Sequence, residues 1–157
     1  MNKTCKELSK QYQFEIAAAN FYVMLENWFL VNSLHGFSKW AKQEAKEELH
    51  HAKVIAHYLG RLGELIEDTK PIEAEVEGKD IVRVIQEALQ LEQEYLQTYN
   101  DMWFIAQEEK DVPAMELIGW FADVQRKSVN FLRCLVNKLD KCGSEYGAIL
   151  QLDSEIA

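Results

Sequence analysis

Apolar residues recur every three to four positions along most of this chain, and a single polar residue interrupts the stripe they form in each of four segments. On a 3.6-residue period, the first stripe reads Leu8, Tyr12, Ala19, Tyr22, Leu25 and Phe29, broken by Glu15. The second reads Ala41, Ala45, Ala52, Ile55, Leu59 and Leu62, broken by Glu48. Glu92 lies among Ile81, Ile85, Leu89, Leu96, Tyr99 and Ala106, and Gln125 among Leu117, Phe121, Ser128, Leu132, Leu135 and Leu139. The pattern predicts helices over residues 4–31, 37–62, 80–107 and 112–140, with a short fifth helix over 146–156. Asp80 is the expected N-cap of the third helix, and Asp111 followed by Pro113 opens the fourth. Cys142-Gly143-Ser144 breaks the chain before the fifth.

The spacing of the four interruptions sets the topology. Glu15 and Glu48 are 33 residues apart, as are Glu92 and Gln125. The first midpoint falls at Val31-Asn32, in a break containing Ser33 and Gly36; the second falls between Glu108 and Pro113. Residues equidistant from a short turn stand side by side in an antiparallel pair, so the sequence describes two helical hairpins, each with a polar pair at matching height. Between them runs one long connection, residues 64–79, with Pro71, Gly78 and the alternation Ile72-Glu73-Ala74-Glu75-Val76. Such a link can cross from one end of a bundle to the other. Two hairpins and one crossover give an all-α four-helix bundle with pseudo-twofold symmetry. Tyr22 and Tyr99, each seven residues after its glutamate, repeat that symmetry.

Composition narrows the function. A length of 157 residues suits one domain, 1–157. A net charge of −9 argues against a duplex-DNA binder, since nothing resembles a basic footprint, and disfavours an anionic membrane surface. No apolar run approaches the ~18 residues of a membrane span, and Met1-Asn2-Lys3-Thr4-Cys5 lacks the apolar core of a signal peptide, so a cytoplasmic protein is expected. Cys5, Cys134 and Cys142 form neither an even framework nor a CxxC pair.

A polar layer in a bundle core is costly unless something satisfies it, and a metal ion does so well. Glu47/His50 and Glu48/His51 are overlapping Glu-x-x-His readings. Glu47 and His50 share a stripe with Gln43, Lys53 and Arg61 and should be solvated; Glu48 and His51 share theirs with alanines and leucines. A Glu and a His three apart on an inward face offer carboxylate and imidazole to one point. Oxygen-rich ligation with one nitrogen suits iron(II), manganese(II) or zinc. Glu48 is placed to bridge two metals, with Glu15 and His51 completing one position and Glu92 holding a second. Gln125 makes that second position poorer in charge and weaker.

Glu15, Tyr22, Glu48-x-x-His51, Glu92 and Gln125, at these separations, resemble the ferroxidase centre of the non-haem ferritins, and the resemblance runs over essentially the whole chain. It implies an up-down-down-up ferritin-like bundle with a short C-terminal fifth helix. It also implies a closed homo-oligomeric shell of 24 subunits that oxidises iron(II) with dioxygen or hydrogen peroxide and stores iron(III) mineral. Glu15, Glu48 and His51 would hold the tighter of two irons per subunit, Glu48 and Glu92 the looser, with Gln125 beside it and Tyr22 as electron donor. The relevant partners are then iron(II), the oxidant and further copies of the chain, with no nucleic acid and no membrane.

Departures from the family pattern refine this. Bacterioferritins carry a second Glu-x-x-His on the fourth helix, where this chain reads Gln125-Arg126-Lys127-Ser128, and Leu49 offers no thioether at their haem-ligand position, so no haem is expected. Val124, Lys127 and Ser128 stand where many bacterial ferritins build a third iron site, leaving only Glu47; the centre resembles the animal heavy-chain type. Met115 and Ile118 occupy positions where the family often lines pores with acids. Other readings of the same bundle are a non-storage di-iron or di-manganese oxidase or peroxidase, and a structural ferritin subunit. The rubrerythrin form needs a four-cysteine iron module that three cysteines cannot make, and a structural subunit would lack the ligands.

Overall fold

The computed structural model describes residues 1–67 and 71–156, and residues 68–70 of the expected crossover lie outside them. The elements are α1 (Lys3–Val31), α2 (His35–Arg61), α3 (Ile81–Glu108), α4 (Val112–Cys142) and α5 (Tyr146–Ile156), with no strand among the described residues. Each boundary lies within two residues of the periodicity-based expectation. The chain divides into two compact units, Met1–Glu7 with Gly78–Asp140 and Leu8–Glu77 with Lys141–Ala157.

The second unit is the hairpin of α1 and α2 with α5. Ser33 takes the left-handed conformation (φ 58°) in the turn, and the Leu34 N–H closes it onto the Phe29 carbonyl at 2.8 Å. From there the facing rings run in antiparallel register: Phe29 against Phe37, with centroids 5.3 Å apart, then Tyr22 edge-on to Trp40 at 5.7 Å. α2 ends where Gly63 (φ +76°) lets the Glu64 N–H return to the Leu59 carbonyl. The crossover begins along α1, with the Glu67 N–H donating to Ser9 Oγ at 2.8 Å. Residues 72–75 then line an open hollow with Asn20, Val23 and Met24 of α1.

Gly36 corrects the expectation that it breaks the chain. It lies inside the first turn of α2, and its missing side chain is filled by α5: a Cβ there would stand 1.7 Å from the Asp153 carbonyl oxygen. Asp153 is buried, and its Oδ1 accepts the Phe37 N–H at 2.9 Å. Leu34, at the N-cap, has no side-chain acceptor, so α5 supplies the cap of α2 from 116 residues away. Gly36→Ala is therefore expected to displace α5 and lower stability by roughly 1–3 kcal/mol, the usual cost of overpacking. Thermal melting, with limited proteolysis at the exposed residues 143–145, would show both effects. Unchanged melting and unchanged cleavage would count against this docking.

The first unit is the hairpin of α3 and α4 together with the start of α1. Asp80 caps α3 by accepting the Arg83 N–H at 2.9 Å, and Asp111 caps α4 by accepting the Ala114 N–H at 3.1 Å. Both acids act as the sequence predicted. α1 starts one residue earlier than expected because Asn2 caps it, accepting the Cys5 N–H at 2.8 Å. Glu109, in the turn after α3, adds a second acceptor there, taking the Thr4 N–H at 2.7 Å and the Thr4 hydroxyl at 2.8 Å. The Tyr99 and Phe121 rings stack at 4.8 Å between α3 and α4.

Several expected core positions lie off the buried face. Leu62 is exposed just past the end of α2, and Tyr12, Leu89, Leu96, Leu117 and Ser128 are half-buried. Ala88, Tyr95, Ile118 and Val129 are buried instead, a small rotation of the α3 and α4 faces. Ile118 is fully buried, so it packs in the core and lines no pore. Trp28, Trp40 and Trp103 are half-buried and only Trp120 is exposed, which moves the large exposed apolar surface to residues such as Val23, Leu30, Phe104 and Phe131.

Candidate metal centre

In the α1–α2 hairpin the stripe interruptions converge. Glu15 is fully buried, and Glu48 and His51 are 2% and 5% exposed. His51 Nδ1 lies 3.1 Å from Glu48 Oε2 and 3.6 Å from Glu15 Oε2. One ligand atom from each of the three residues falls within 4.8 Å of the other two. Two carboxylates and one imidazole nitrogen thus address one small buried volume, and Ala45, Ala52 and Ile55 on α2 and Ala19 on α1 are buried as well. The donor set suits a divalent cation of the iron, manganese or zinc type. Without a cation, two buried carboxylates in one place are costly, and the imidazole offsets only part of that cost.

His50 and Glu47 are exposed, as their stripe with Gln43 and Lys53 predicted, and Gln43 Nε2 donates to Glu47 Oε1 on that solvated face. The helical phase of α2 therefore selects the second of the two Glu-x-x-His readings. Tyr22 is fully buried two turns after Glu15, with its ring edge-on to Phe21 and Trp40.

In the α3–α4 hairpin, Glu92 is fully buried and Gln125 is 1% exposed. Gln125 Nε2 donates to Glu92 Oε2 at 2.6 Å, so the 33-residue spacing did mark neighbours across the turn. The amide nitrogen is thereby committed to the carboxylate. Gln125 Oε1 is buried with no hydrogen-bond partner among the described residues. Next in sequence, Arg126 and Lys127 turn outward to Asp123; the Arg126 hydrogen bond, helped by Lys127, holds that exposed carboxyl below its ordinary range.

Two residues near these ligands escaped the sequence reading. Gln11 is 1% exposed, and its Nε2 donates to Glu15 Oε1 at 2.9 Å. Glu44, half-buried, stands one turn before Glu48 on α2. Both lie four residues before a candidate ligand, the spacing that shares a helix face. That spacing was the available signal.

A ferritin-like domain model matches residues 5–142. The chain belongs to the ferritin-like family. Among its relatives is a bacterial non-heme ferritin of Staphylococcus haemolyticus, 27% identical over 150 residues, covering 96% of this chain and 90% of that protein. A bacterial non-heme ferritin of Staphylococcus aureus is 25% identical over 149 residues, covering 95% and 90%. An open-pore ferritin from the hyperthermophilic archaeon Archaeoglobus fulgidus superimposes with a TM-score of 0.94 at 24% identity, covering 99% of this chain and 96% of that one. The all-α four-helix bundle expected from periodicity is therefore the observed fold class, and the family resemblance had implied its ferritin form with a short C-terminal helix. Among the described residues no helix is long and apolar enough to cross a membrane.

Proposed function

We propose that this protein is an iron-storage ferritin that oxidises iron(II) at a two-iron centre. The observation that carries the reading is the buried Glu15, Glu48 and His51 cluster in a chain of the ferritin-like family. Glu15, Glu48 and His51 form the tighter iron position, with His51 Nδ1 as the nitrogen donor. Glu48 bridges to a second, looser position that Glu92 supplies and Gln125 borders. Because the Gln125 amide nitrogen is held by Glu92, only its Oε1 remains to face that iron. Each of two iron(II) ions gives up one electron, and dioxygen takes up two electrons and two protons to leave as hydrogen peroxide. Hydrogen peroxide as oxidant takes two electrons and two protons to give two waters. Tyr22, two turns after Glu15 on α1, would donate a further electron only where the oxidant takes more than the two that the irons supply. The protein works in the cytoplasm, without haem, as a shell of 24 copies that keeps the iron(III) product inside.

Stopped-flow mixing of the apoprotein with iron(II) under air tests this. A fast absorbance rise that saturates near two irons per subunit is expected, ahead of slower mineral growth. A rate no greater than that of free iron(II) would rule out the proposed activity.

The histidine pair supplies an independent check. His51→Ala should weaken zinc(II) or iron(II) binding at the tighter position by about tenfold or more, while His50→Ala, on the solvated face, should leave it unchanged. Isothermal titration of both variants decides. Equal losses would mean that the cation is held by a different face of α2.

A further inference from the structure

Gln11 is buried beside the iron position without being one of its expected ligands. Its Nε2 donates to Glu15 Oε1 at 2.9 Å, while the other oxygen of that carboxylate, Oε2, is the one that faces His51 Nδ1 at 3.6 Å. The Oε1 of Gln11 is buried, and no donor reaches it among the described residues. A buried amide oxygen left without a donor is expensive, and cores seldom carry one without a reason. The α3–α4 hairpin repeats the arrangement with different residues: Gln125 Nε2 holds Glu92 Oε2, and Gln125 Oε1 has no partner. Each half of the chain thus has a carboxylate with one oxygen tied by an amide N–H, and an amide oxygen awaiting a donor.

We infer that Gln11 is the positioning residue of the Glu15 iron position, holding the carboxylate by Oε1 so that Oε2 is presented to the cation, with its own Oε1 accepting from a water that the cation carries. The inference rests on the reading of Glu15, Glu48 and His51 as a cation site. Its physical basis is twofold. A carboxylate with one oxygen fixed loses less freedom on binding a cation, and the amide removes the alternative in which either oxygen turns inward. The orphaned Oε1 needs a hydrogen-bond donor, and water bound to a divalent cation is a strong one. Gln11 cannot serve by charge, because its amide does not ionise.

The test uses cobalt(II), which does not undergo the oxidation, with the full-length protein in its assembled form. Gln11→Met keeps the length of the side chain and removes both polar atoms; Gln11→Leu removes them with a different shape. Both variants should bind the first cobalt(II) about tenfold to a hundredfold more weakly, and their visible ligand-field bands should shift relative to the parent protein. Unchanged affinity and bands in either folded variant would overturn the inference. Weaker binding with unchanged bands would overturn it too, because the carboxylate would then be presented equally well without the amide. Glu15→Ala separates this from failure of the site reading. Undiminished cobalt(II) affinity in Glu15→Ala would remove the cation site itself, whereas its loss there together with normal Gln11 variants would remove only the positioning role.

Discussion

Glu48→Ala should abolish both proposed iron positions at once and slow the initial oxidation of iron(II) by roughly two orders of magnitude or more, since it deletes the carboxylate proposed to be shared by both. The expectation comes from where the side chain sits. Glu48 is nearly fully buried, three residues before His51 on the same face of α2, with Oε2 at 3.1 Å from the imidazole. Removing it leaves Glu15 and His51 as a two-ligand remnant and deletes the proposed bridge. Glu92→Ala should behave differently, because the Glu15, Glu48 and His51 cluster lies wholly within the α1–α2 hairpin. One tight cation per subunit should remain, with the two-electron reaction lost. The Glu48 variant should also stay folded. Taking one carboxylate out of the buried cluster relieves repulsion with Glu15 and offsets part of the cost of the lost His51 contact and of the cavity, so the apoprotein should melt somewhat below its parent but stay folded. Zinc(II) titration, stopped-flow oxidation and thermal melting of both variants separate these outcomes. A fast phase that survives Glu48→Ala would show that oxidation occurs elsewhere.

The second large effect concerns assembly. Light scattering should give a particle of about 24 times the 18.2 kDa chain at micromolar concentration and neutral pH. α1 exposes Val23 and Leu30, α3 exposes Phe104, and α4 exposes Trp120 and Phe131. That is more large apolar surface than an isolated chain keeps comfortably. α5 adds to the case. An 11-residue helix is not stable alone, and this one buries only Ile149, Leu152 and Asp153 while Tyr146 and Leu150 remain open to a neighbouring copy. A chain ending at Lys141 should assemble poorly, because it loses that contact surface and also the Asp153 carboxylate that caps α2. A monomeric or dimeric mass for the full chain would refute the shell. A truncated chain forming an equally stable particle would show that α5 is dispensable for assembly.

Periodicity alone determined the helices, their ends and the inward direction of Glu15, Glu48, His51, Glu92 and Gln125, because a 3.6-residue repeat interrupted once by a carboxylate or amide has one consistent helical phase. The same phase separated His51 from His50 across a single residue. Caps made within a turn were equally legible: Asp80 reaches Arg83 and Asp111 reaches Ala114, three residues away in each case. The exact centre of each buried face was not, so Leu89 and Leu96 stand half-buried beside the buried Ala88 and Tyr95. A stripe about 100° wide admits neighbours on either side, and only packing chooses between them.

Tertiary structure alone decided the contacts whose partners are far apart in sequence. Gly36 reads as a helix breaker until the Asp153 carbonyl is seen in the space its side chain would fill. Glu109 reads as one more acid in a turn until it takes the N–H and hydroxyl of Thr4, 105 residues earlier. Gln11 shares the Glu15 face through its four-residue spacing, but only the packed fold buries it and leaves its oxygen without a donor among the described residues. Local propensity fixes which groups a helix leaves unsatisfied at its ends and in its core. Which distant side chain satisfies them depends on the docking of separate elements, and a one-dimensional pattern does not encode that geometry.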